Sequence, residues 1–561
     1  MKQRIIILIL LLIVIAVLYS CISDEQSPTD TIIFPGISDF DTMGASSAPS
    51  NAPGVIVQID EGAEEPAKGS AIIISYETDN NRAGTITGES SQRIRYGETV
   101  AAEVRAVPAL GWKFLRWSDG STNPVRAGDS YKIDVTLTAY FAHDKLNMPT
   151  LSISTNDRSI GDNYVNTEIS VNYIKPDITR DYQAQIRVRG ANSRSYPKLS
   201  YKIRLDDRHN LLDIMSRSRG NRHYALIAVW NDYSLMRTPM GFELMSQLNG
   251  IPFSPDYTYV EVYFNDIYAG VYLLAEDNRV DENRIDINDR NAGDTNSFLV
   301  ASAPGRELQL TYYSRYDGGY YGVRDERTFG SMRVRSQVYN QQQLNFVQNT
   351  LNAAWDSISD KATAERHFDM ASLVDVYIAA EIMKGLDIAW NNHFWMHYDE
   401  STGKAYFTSL WDLKFGGGNH SGHNGFWASY EGLGMIAAQG QWGQFNRWFI
   451  ALMQQTWFRE SVQERFAEID EVLDSIVPFL RATHELHRVS FERNFVRWPE
   501  GNIGTDSNFT PRQVVALRNH AENAEYLVNW MEHRISWLRA YIGSAEFISH
   551  AGTTNPGPTT P

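Results

Sequence analysis

Val262-Tyr-Phe-Asn-Asp-Ile-Tyr-Ala-Gly-Val-Tyr-Leu-Leu-Ala-Glu276 carries most of the argument for the fold of this chain. It holds the end of one β-rich run, Tyr257 to Phe264, and the whole of a second, Gly270 to Ala275, with Asn265-Asp266 between them as a hairpin turn. Upstream lie further strand-like segments at Leu151 to Ser154, Glu168 to Tyr173, Gln183 to Arg189 and Tyr201 to Leu205. Arg237 to Leu248 has the mixed apolar and polar pattern of a helix, and beyond the hairpin helical patterns take over. Helices are expected at Gln343 to Ile358, Met370 to Lys384, Trp442 to Gln454, Arg459 to Leu480 and Val514 to Tyr541. Strands in one half and helices in the other predict an α+β, two-lobed domain over residues 149–544.

Farther out, the N terminus reads as an address. Lys2 and Arg4 precede an uncharged run from Ile5 to Tyr19, and Leu18-Tyr-Ser-Cys21 closes it with the only cysteine of the 561 residues. A positive start before a short apolar helix is the pattern of an export signal. The position of Cys21 resembles a lipoprotein signal, with residues 1–20 removed and Cys21 lipidated. An uncleaved anchor is the other reading. Either one makes the protein extracytoplasmic and membrane-anchored, periplasmic or at the cell surface. Residues 21–70 are rich in Ser, Asp, Pro, Gly and Glu and read as a flexible stalk; residues 545–561 read as a disordered tail. At 43% hydrophobic and 12% aromatic the chain can bury large cores, which excludes wholesale disorder. Lys and Arg total 51 against 67 Asp and Glu, a net charge of -16, which argues against a partner that is nucleic acid. One cysteine excludes an intrachain disulfide and a Cys-based zinc site.

Residues 71–143 form a separate pattern of short strands and turns, as expected of a small all-β module. Gly84-Thr-Ile-Thr-Gly88, Ala106-Val-Pro108, Gly111-Trp-Lys-Phe114, Trp117-Ser-Asp-Gly120 and Ala139-Tyr-Phe141 occur in order and resemble the divergent internalin-type B repeat of bacterial surface proteins. The resemblance implies a spacer or adhesive unit. Trp112 and Trp117 are expected to fill its core, and exposed aromatics would be the means of holding a glycan.

Three regions of the large domain concentrate polar groups. In Arg187-Val-Arg-Gly-Ala-Asn-Ser-Arg-Ser-Tyr-Pro-Lys198 and Tyr201-Lys-Ile-Arg204, a turn could offer backbone N–H groups to phosphate, and a strand lysine a point charge. A solvated hairpin is the alternative. In Glu381 to Tyr398 a helix ends near Gly385, Asp387 follows in a connector, and Asn392 precedes a strand from His393 to Tyr398. Asp387 could accept a hydroxyl proton and Asn392 could ligate a divalent metal, or both could satisfy a turn. In Tyr406-Phe-Thr-Ser-Leu-Trp-Asp412-Leu-Lys-Phe-Gly-Gly-Gly-Asn-His420 a β-rich run delivers Asp412 to a glycine loop, where a carboxylate can hold Mg2+ beside a polyphosphate. His420 and His423 in that loop are more simply solvated than metal-bound.

Taken in order, these regions resemble the CotH family of spore-coat-protein-H-like kinases, over approximately 149–544. Arg189-Gly190, Asn192-Ser193, Pro197-Lys198 and Ser200-Tyr-Lys202 resemble its early signature. Asn231-Asp-Tyr-Ser-Leu-Met-Arg237, the hairpin to Glu276, Gly385-Leu-Asp387 through Asn392, and Trp411-Asp412 through Gly416 resemble later ones. The resemblance implies an atypical two-lobed protein-kinase-like fold, ATP and Mg2+ or Mn2+ as cofactors, and transfer of the γ-phosphoryl group to a Ser or Thr of a surface or secreted protein. It implies that Lys198 or Lys202 neutralises phosphate, helped by Arg189, Asn192 and Ser193, while Arg237 contacts phosphate or braces the lobes. Glu276 would position a lysine or organise metal, Asp387 would take the proton, and Asn392 and Asp412 would ligate metal. One departure is plain. The family pattern Trp-Asp-x-Asp-x-x-x-Gly has Lys414 in place of its second carboxylate, and Lys414 could touch the triphosphate instead. With that change, a catalytically weak pseudokinase acting as a surface-assembly, adhesion or glycan-binding protein is the competing expectation.

Overall fold

The computed structural model describes residues 69–174, 177–190, 192–212, 218–289, 296–303, 308–312, 320–325, 329–390, 394–420, 425–437, 447–499, 511, 514, 517 and 519–550. All of them fall in one compact unit that begins at Ile59. Cys21 with the signal and stalk up to residue 68, Asn392, His423 and the residues beyond 550 lie outside the described residues, whereas Ala545–Ser549, expected in the disordered tail, form a short helix with Phe547 buried.

The hairpin forms as its sequence predicts. Tyr257–Phe264 pairs antiparallel with Ile267–Glu276, and Asn265 and Asp266 turn the chain with φ of 45° and 68°. Two successive left-handed residues give the turn whose twist matches that of the flanking strands, and Asn and Asp tolerate it. Thr155 N donates to Asn265 Oδ1 at 2.8 Å and fixes the tip.

Around this hairpin seven strands close into a barrel, in the order Asp177–Arg189, Ser200–His209, Asn221–Ile227, Ile267–Glu276, Tyr257–Phe264, Thr150–Ser154, Val165–Ile174. Ile267–Glu276 is apolar at nearly every position because it faces two cores. Tyr272 and Leu274 join Ile153, Ile186 and Leu226 inside the barrel. Val271, Leu273 and Ala275 point the other way, into the core shared with the helices. A strand buried on both faces loses the usual apolar–polar alternation.

The second half is an α+β layer. Gly322–Asp325, Gly330–Val334, Phe298–Ser302, Trp395–Asp399 and Lys404–Phe407 form a five-stranded sheet in that spatial order. The helix Met370–Met383, buried from Ser372 onward, packs beside it. Two expectations are corrected. The helix expected over Arg459 to Leu480 is two, Thr456–Glu468 and Asp470–Arg497, divided at Ile469, and the second runs through Pro478 well past Leu480. The last helix is described as His520–Ile542; Asn519 caps it by accepting from Glu522 N at 2.9 Å.

The small module is a two-sheet β structure. Ser91–Arg95, Ala71–Thr78, Val135–His143 and Trp112–Trp117 form one sheet, and Gly84–Gly88, Val104–Pro108 and Val125–Arg126 the other. Ile74, Tyr76, Val104, Leu137 and Trp117 fill the space between them. Trp112 is only half-buried; its indole N–H reaches out of the module to Asp266 O at 3.0 Å. Tyr263 OH donates to Gly111 O at 2.7 Å, and the Tyr263 ring stacks on His143 with centroids 4.1 Å apart. The module is thus seated on the tip of the barrel hairpin.

Candidate functional site

Four elements meet where the barrel faces the helical half. The strand Asp177–Arg189 ends in Arg189, and Gly190 follows with φ 114°. A Cβ at Gly190 would lie 2.0 Å from Ser193 Oγ, so this close turn requires glycine. The 3-10 turn Asn192–Ser195 comes next, and Tyr196 accepts from Asn231 Nδ2 at 2.7 Å. From the neighbouring strand comes Lys202, and from the end of the hairpin Asp277; their charged atoms lie 3.7 Å apart.

The helical half supplies Asp387, in the first turn of the short helix Leu386–Trp390, and the segment around Asp412. Two local expectations are revised here. Asp387 lies in helix rather than in a connector, because Lys384 ends the preceding helix with a left-handed φ of 44° and the chain immediately coils again. The strand expected to deliver Asp412 stops at Phe407. Beyond it Ser409 Oγ donates to Asn278 Oδ1 at 2.7 Å, which ties this segment to the barrel. Asp412 itself is left-handed, φ 61°, and one 3-10 turn, Leu413–Phe415, follows. That turn throws the Lys414 side chain back over Asp412. Its ammonium bonds Asp412 Oδ1 and lies 3.9 Å from Asp387 Oδ2.

Arg189 joins the two sides. Its guanidinium lies over the Trp411 ring, 5.3 Å from the centroid, and is drawn electrostatically to both Asp412 and Asp277. Arg189, Lys202, Asp277, Asp387, Asp412 and Lys414 therefore gather in one charged cluster, the candidate cleft between the two halves.

The charges perturb one another in readable ways. Burial pulls the Lys202 ammonium down to about 8; Asp277 opposes this, and Arg189, Arg187 and Arg279 reinforce it. Burial would raise the Asp277 carboxyl, but Arg284, Lys202 and Arg279 outweigh it and hold the group below the usual range. Burial would also lower Lys414; Asp412 and Asp387 prevail and hold it above its ordinary value.

Other expected residues lie elsewhere or do other things. Lys198 precedes its strand, and its buried ammonium donates to Asn494 Oδ1 at 2.9 Å and bonds Val271 O. Six strand positions separate Val271 from Asp277, about 20 Å at the usual rise, so Lys198 is not among the groups brought together. Among the described residues Glu276 meets no lysine. It accepts from Ser218 Oγ at 2.8 Å and from Asp256 N at 3.1 Å, with Arg284 Nε 3.6 Å away. The acidic partner of Lys202 is the next residue, Asp277, to which the sequence reading gave no role.

Arg237 is wholly buried and braces rather than offers itself to phosphate. Nη1 pairs with Asp232 Oδ1 at 2.5 Å, while Nε donates to Gly416 O at 3.1 Å and Nη2 to Gly417 O at 3.2 Å. Two glycines of this loop, Gly417 and Gly418, are packed against the closing helix. A Cβ at Gly417 would come within 2.6 Å of Leu527, and one at Gly418 within 2.5 Å of Trp530. His420 is buried in this loop, against the expectation that it is solvated. Ser193 packs against Gly190 in the turn that follows Arg189.

Arg284 is the member of this charge cluster that sequence reading missed. It bonds the Asp277 carboxylate and donates from Nη2 to His223 O at 2.7 Å. No local motif marks it; it reaches the cleft only because the chain doubles back after the hairpin.

A divalent ion does not fit the carboxylates as they stand. Mg2+ requires closely held oxygens, whereas Asp387 and Asp412 face an ammonium between them. Among the described residues no three His, Cys, Asp or Glu side chains gather closely enough to hold a metal.

A β lobe and a helical lobe with basic residues and carboxylates gathered between them define an α+β protein of two-lobed architecture. Residues 186–538 match the family described as CotH kinase protein. With more than half of its length matched, the chain belongs to that family. Residues 74–145 match the divergent InlB B-repeat domain, the relationship its ordered Gly and Trp positions suggest. No curated protein matches the chain.

Proposed function

We propose that this protein is an exported, lipid-tethered phosphotransferase of the protein-kinase type that acts on a Ser or Thr hydroxyl of a surface or secreted protein. The observation that carries the reading is the convergence of Arg189 and Lys202 from the barrel with Asp387 and Asp412 from the helical half, the arrangement a polyphosphate and an acceptor hydroxyl need. ATP would supply the phosphoryl group. Arg189 and Lys202 would bind phosphate oxygens, one by a planar fork and one as a point charge. Asp387 would orient the acceptor hydroxyl and take its proton as the oxygen bonds to the γ-phosphorus and the bond to the β-phosphate oxygen breaks, releasing ADP. Since phosphoryl transfer depends chiefly on placement and charge compensation, these roles suffice for the chemistry. Cys21, carrying lipid, would hold the protein at a membrane surface.

A second reading, a nucleotide-binding scaffold that transfers no phosphate, is favoured by one feature. The Lys414 ammonium holds the carboxylates that would serve transfer. ATP titration of the full chain, followed by a radiolabel transfer assay on proteins of the cell envelope, separates the readings. Saturable binding that weakens at least roughly tenfold in Lys202→Met and in Arg189→Met supports the cleft as the nucleotide site. Labelled protein that disappears in Asp387→Asn then supports the transferase. Binding without transfer supports the scaffold, and no binding at millimolar ATP defeats both.

A further inference from the structure

The departure at position 414 is the most informative feature of the cleft. In a pattern of two carboxylates one residue apart, replacing the second by lysine could have produced a side chain that turns away into solvent. It does not turn away. Asp412 at φ 61° and the 3-10 turn Leu413–Phe415 carry Lys414 back toward the first carboxylate. The side chain is only 16% exposed, and its ammonium stands between Asp412 Oδ1 and Asp387 Oδ2. It also lies 4.7 Å from the centre of the Phe415 ring, whose face favours a cation.

The backbone beneath it is fixed as firmly. Lys414 O accepts from Asn419 Nδ2 at 2.9 Å, and the same amide donates to Asn231 O at 2.6 Å. Asn231 in turn donates to the Tyr196 hydroxyl in the loop that follows Arg189 and Gly190. The lysine is therefore built into the network that joins the phosphate-side loop to the carboxylate side.

We infer that Lys414 is the resident cation of this cleft: it takes the place of a divalent ion between Asp387 and Asp412, so that polyphosphate binds without help from metal. The inference rests on the reading of the cleft as a nucleotide site. A tethered ammonium balances the two carboxylates without coordinating them. Any Mg2+ arriving with nucleotide then meets a positive charge where it would need oxygen ligands. Arg189, Lys202 and Lys414 are left as the groups that compensate the phosphates. Each holds its position through neighbours already in place, without waiting for a metal to be acquired.

Two titrations of the full-length chain test this. ATP binding is measured calorimetrically in EDTA and in excess Mg2+, and Mn2+ uptake is followed by electron paramagnetic resonance with and without ATP. The expected result is a dissociation constant for ATP that Mg2+ improves by less than about threefold, together with no protein-bound Mn2+ in the wild type. Lys414→Asp and Lys414→Met, checked for native circular dichroism, should each gain bound Mn2+, lost again when Asp412→Asn is added. A larger improvement by Mg2+ overturns the inference. So does wild-type Mn2+ binding that Asp412→Asn abolishes, and so does failure of both folded Lys414 variants to gain Mn2+. If either variant misfolds, the wild-type measurements and the other variant still decide. Absence of ATP binding in both buffers defeats the nucleotide reading, and the Mn2+ measurements then judge Lys414 on their own.

Discussion

At the scale of single residues, Lys202 gives the cleft a pH response. Only the protonated ammonium attracts phosphate, and burial brings its ionisation down to about 8. At pH 7 the group is mostly charged; through pH 8 to 9 it becomes neutral, whereas an ordinary lysine would stay charged to about 10. ATP affinity should therefore fall as pH rises through 8, and Lys202→Arg, charged throughout, should flatten the profile. Calorimetric titrations between pH 6.5 and 9.5 check this. Asp277→Asn should move the fall to lower pH, since Asp277 is the group that raises the lysine. A profile unchanged by either substitution would remove Lys202 from phosphate binding. Lys198 makes the opposite case. Its sequence offers the same chemistry two turns of a strand pattern away, but Asn494 and Val271 claim its ammonium. Lys198→Met should leave ATP affinity within about twofold and lower the melting temperature, because it takes one donor from Val271 O and one from Asn494 Oδ1, which keeps Val271 N.

At the scale of elements, the glycine loop after Asp412 is held from two sides. Arg237, on the helix Arg237–Gln247, binds the carbonyls of Gly416 and Gly417, and the closing helix presses on Gly417 and Gly418. Arg237→Met should cost about 3–5 kcal/mol, since Asp232 would remain buried and unpaired. Asp232→Asn added to it should recover part of that loss, whereas a phosphate-binding role would predict lost affinity at unchanged stability. Gly418→Ala should also destabilise, by at least about 1 kcal/mol, because φ of 74° is strained for alanine and its Cβ meets Trp530. Denaturant unfolding measures both. These elements also mark how far sequence could see. The hairpin 257–276 was readable because its turn residues and apolar runs are local, and the order of Arg189, Lys202, Asp387 and Asp412 was readable as a family pattern. Closure of seven strands into a barrel was not, since it depends on pairings between distant segments such as Thr150–Ser154 and Tyr257–Phe264. Nor were Arg284 and the Asp277 partnership, which exist only once the chain folds back. The strand Asn221–Ile227 escaped for a similar reason: its apolar residues run together from Tyr224 to Ile227 without alternation, and the strands on either side define it.

At the scale of the whole molecule, the β module and the large domain share a buried charge. Arg493, on the long helix Asp470–Arg497, donates from Nε to Glu261 Oε1 at 3.1 Å in the barrel hairpin and from Nη1 to Asp144 O at 3.0 Å, just past the module's last strand. Glu261 is completely buried, and burial raises its carboxyl against the opposing pull of Arg493. One guanidinium thus holds helix, barrel and module together, beside the Tyr263–His143 stack and the Trp112 bond to the hairpin tip. Arg493→Met leaves Glu261 without its charge partner and should destabilise by about 3–5 kcal/mol. Glu261→Gln in the same chain should return a large part of that, because an amide needs no compensating cation. The single variant should also release the module from its seat, so protease should cut the segment 144–149 faster than in wild type. The double variant should show the same cutting with a higher melting temperature, since it restores the barrel but not the bond to Asp144. Equal cutting in all three proteins would mean that the contacts at the hairpin tip, the His143–Tyr263 stack with the Trp112, Tyr263 and Arg82 bonds beside it, seat the module without Arg493. In that case His143→Ala, which removes the stack and leaves Arg493 in place, should be the change that frees it.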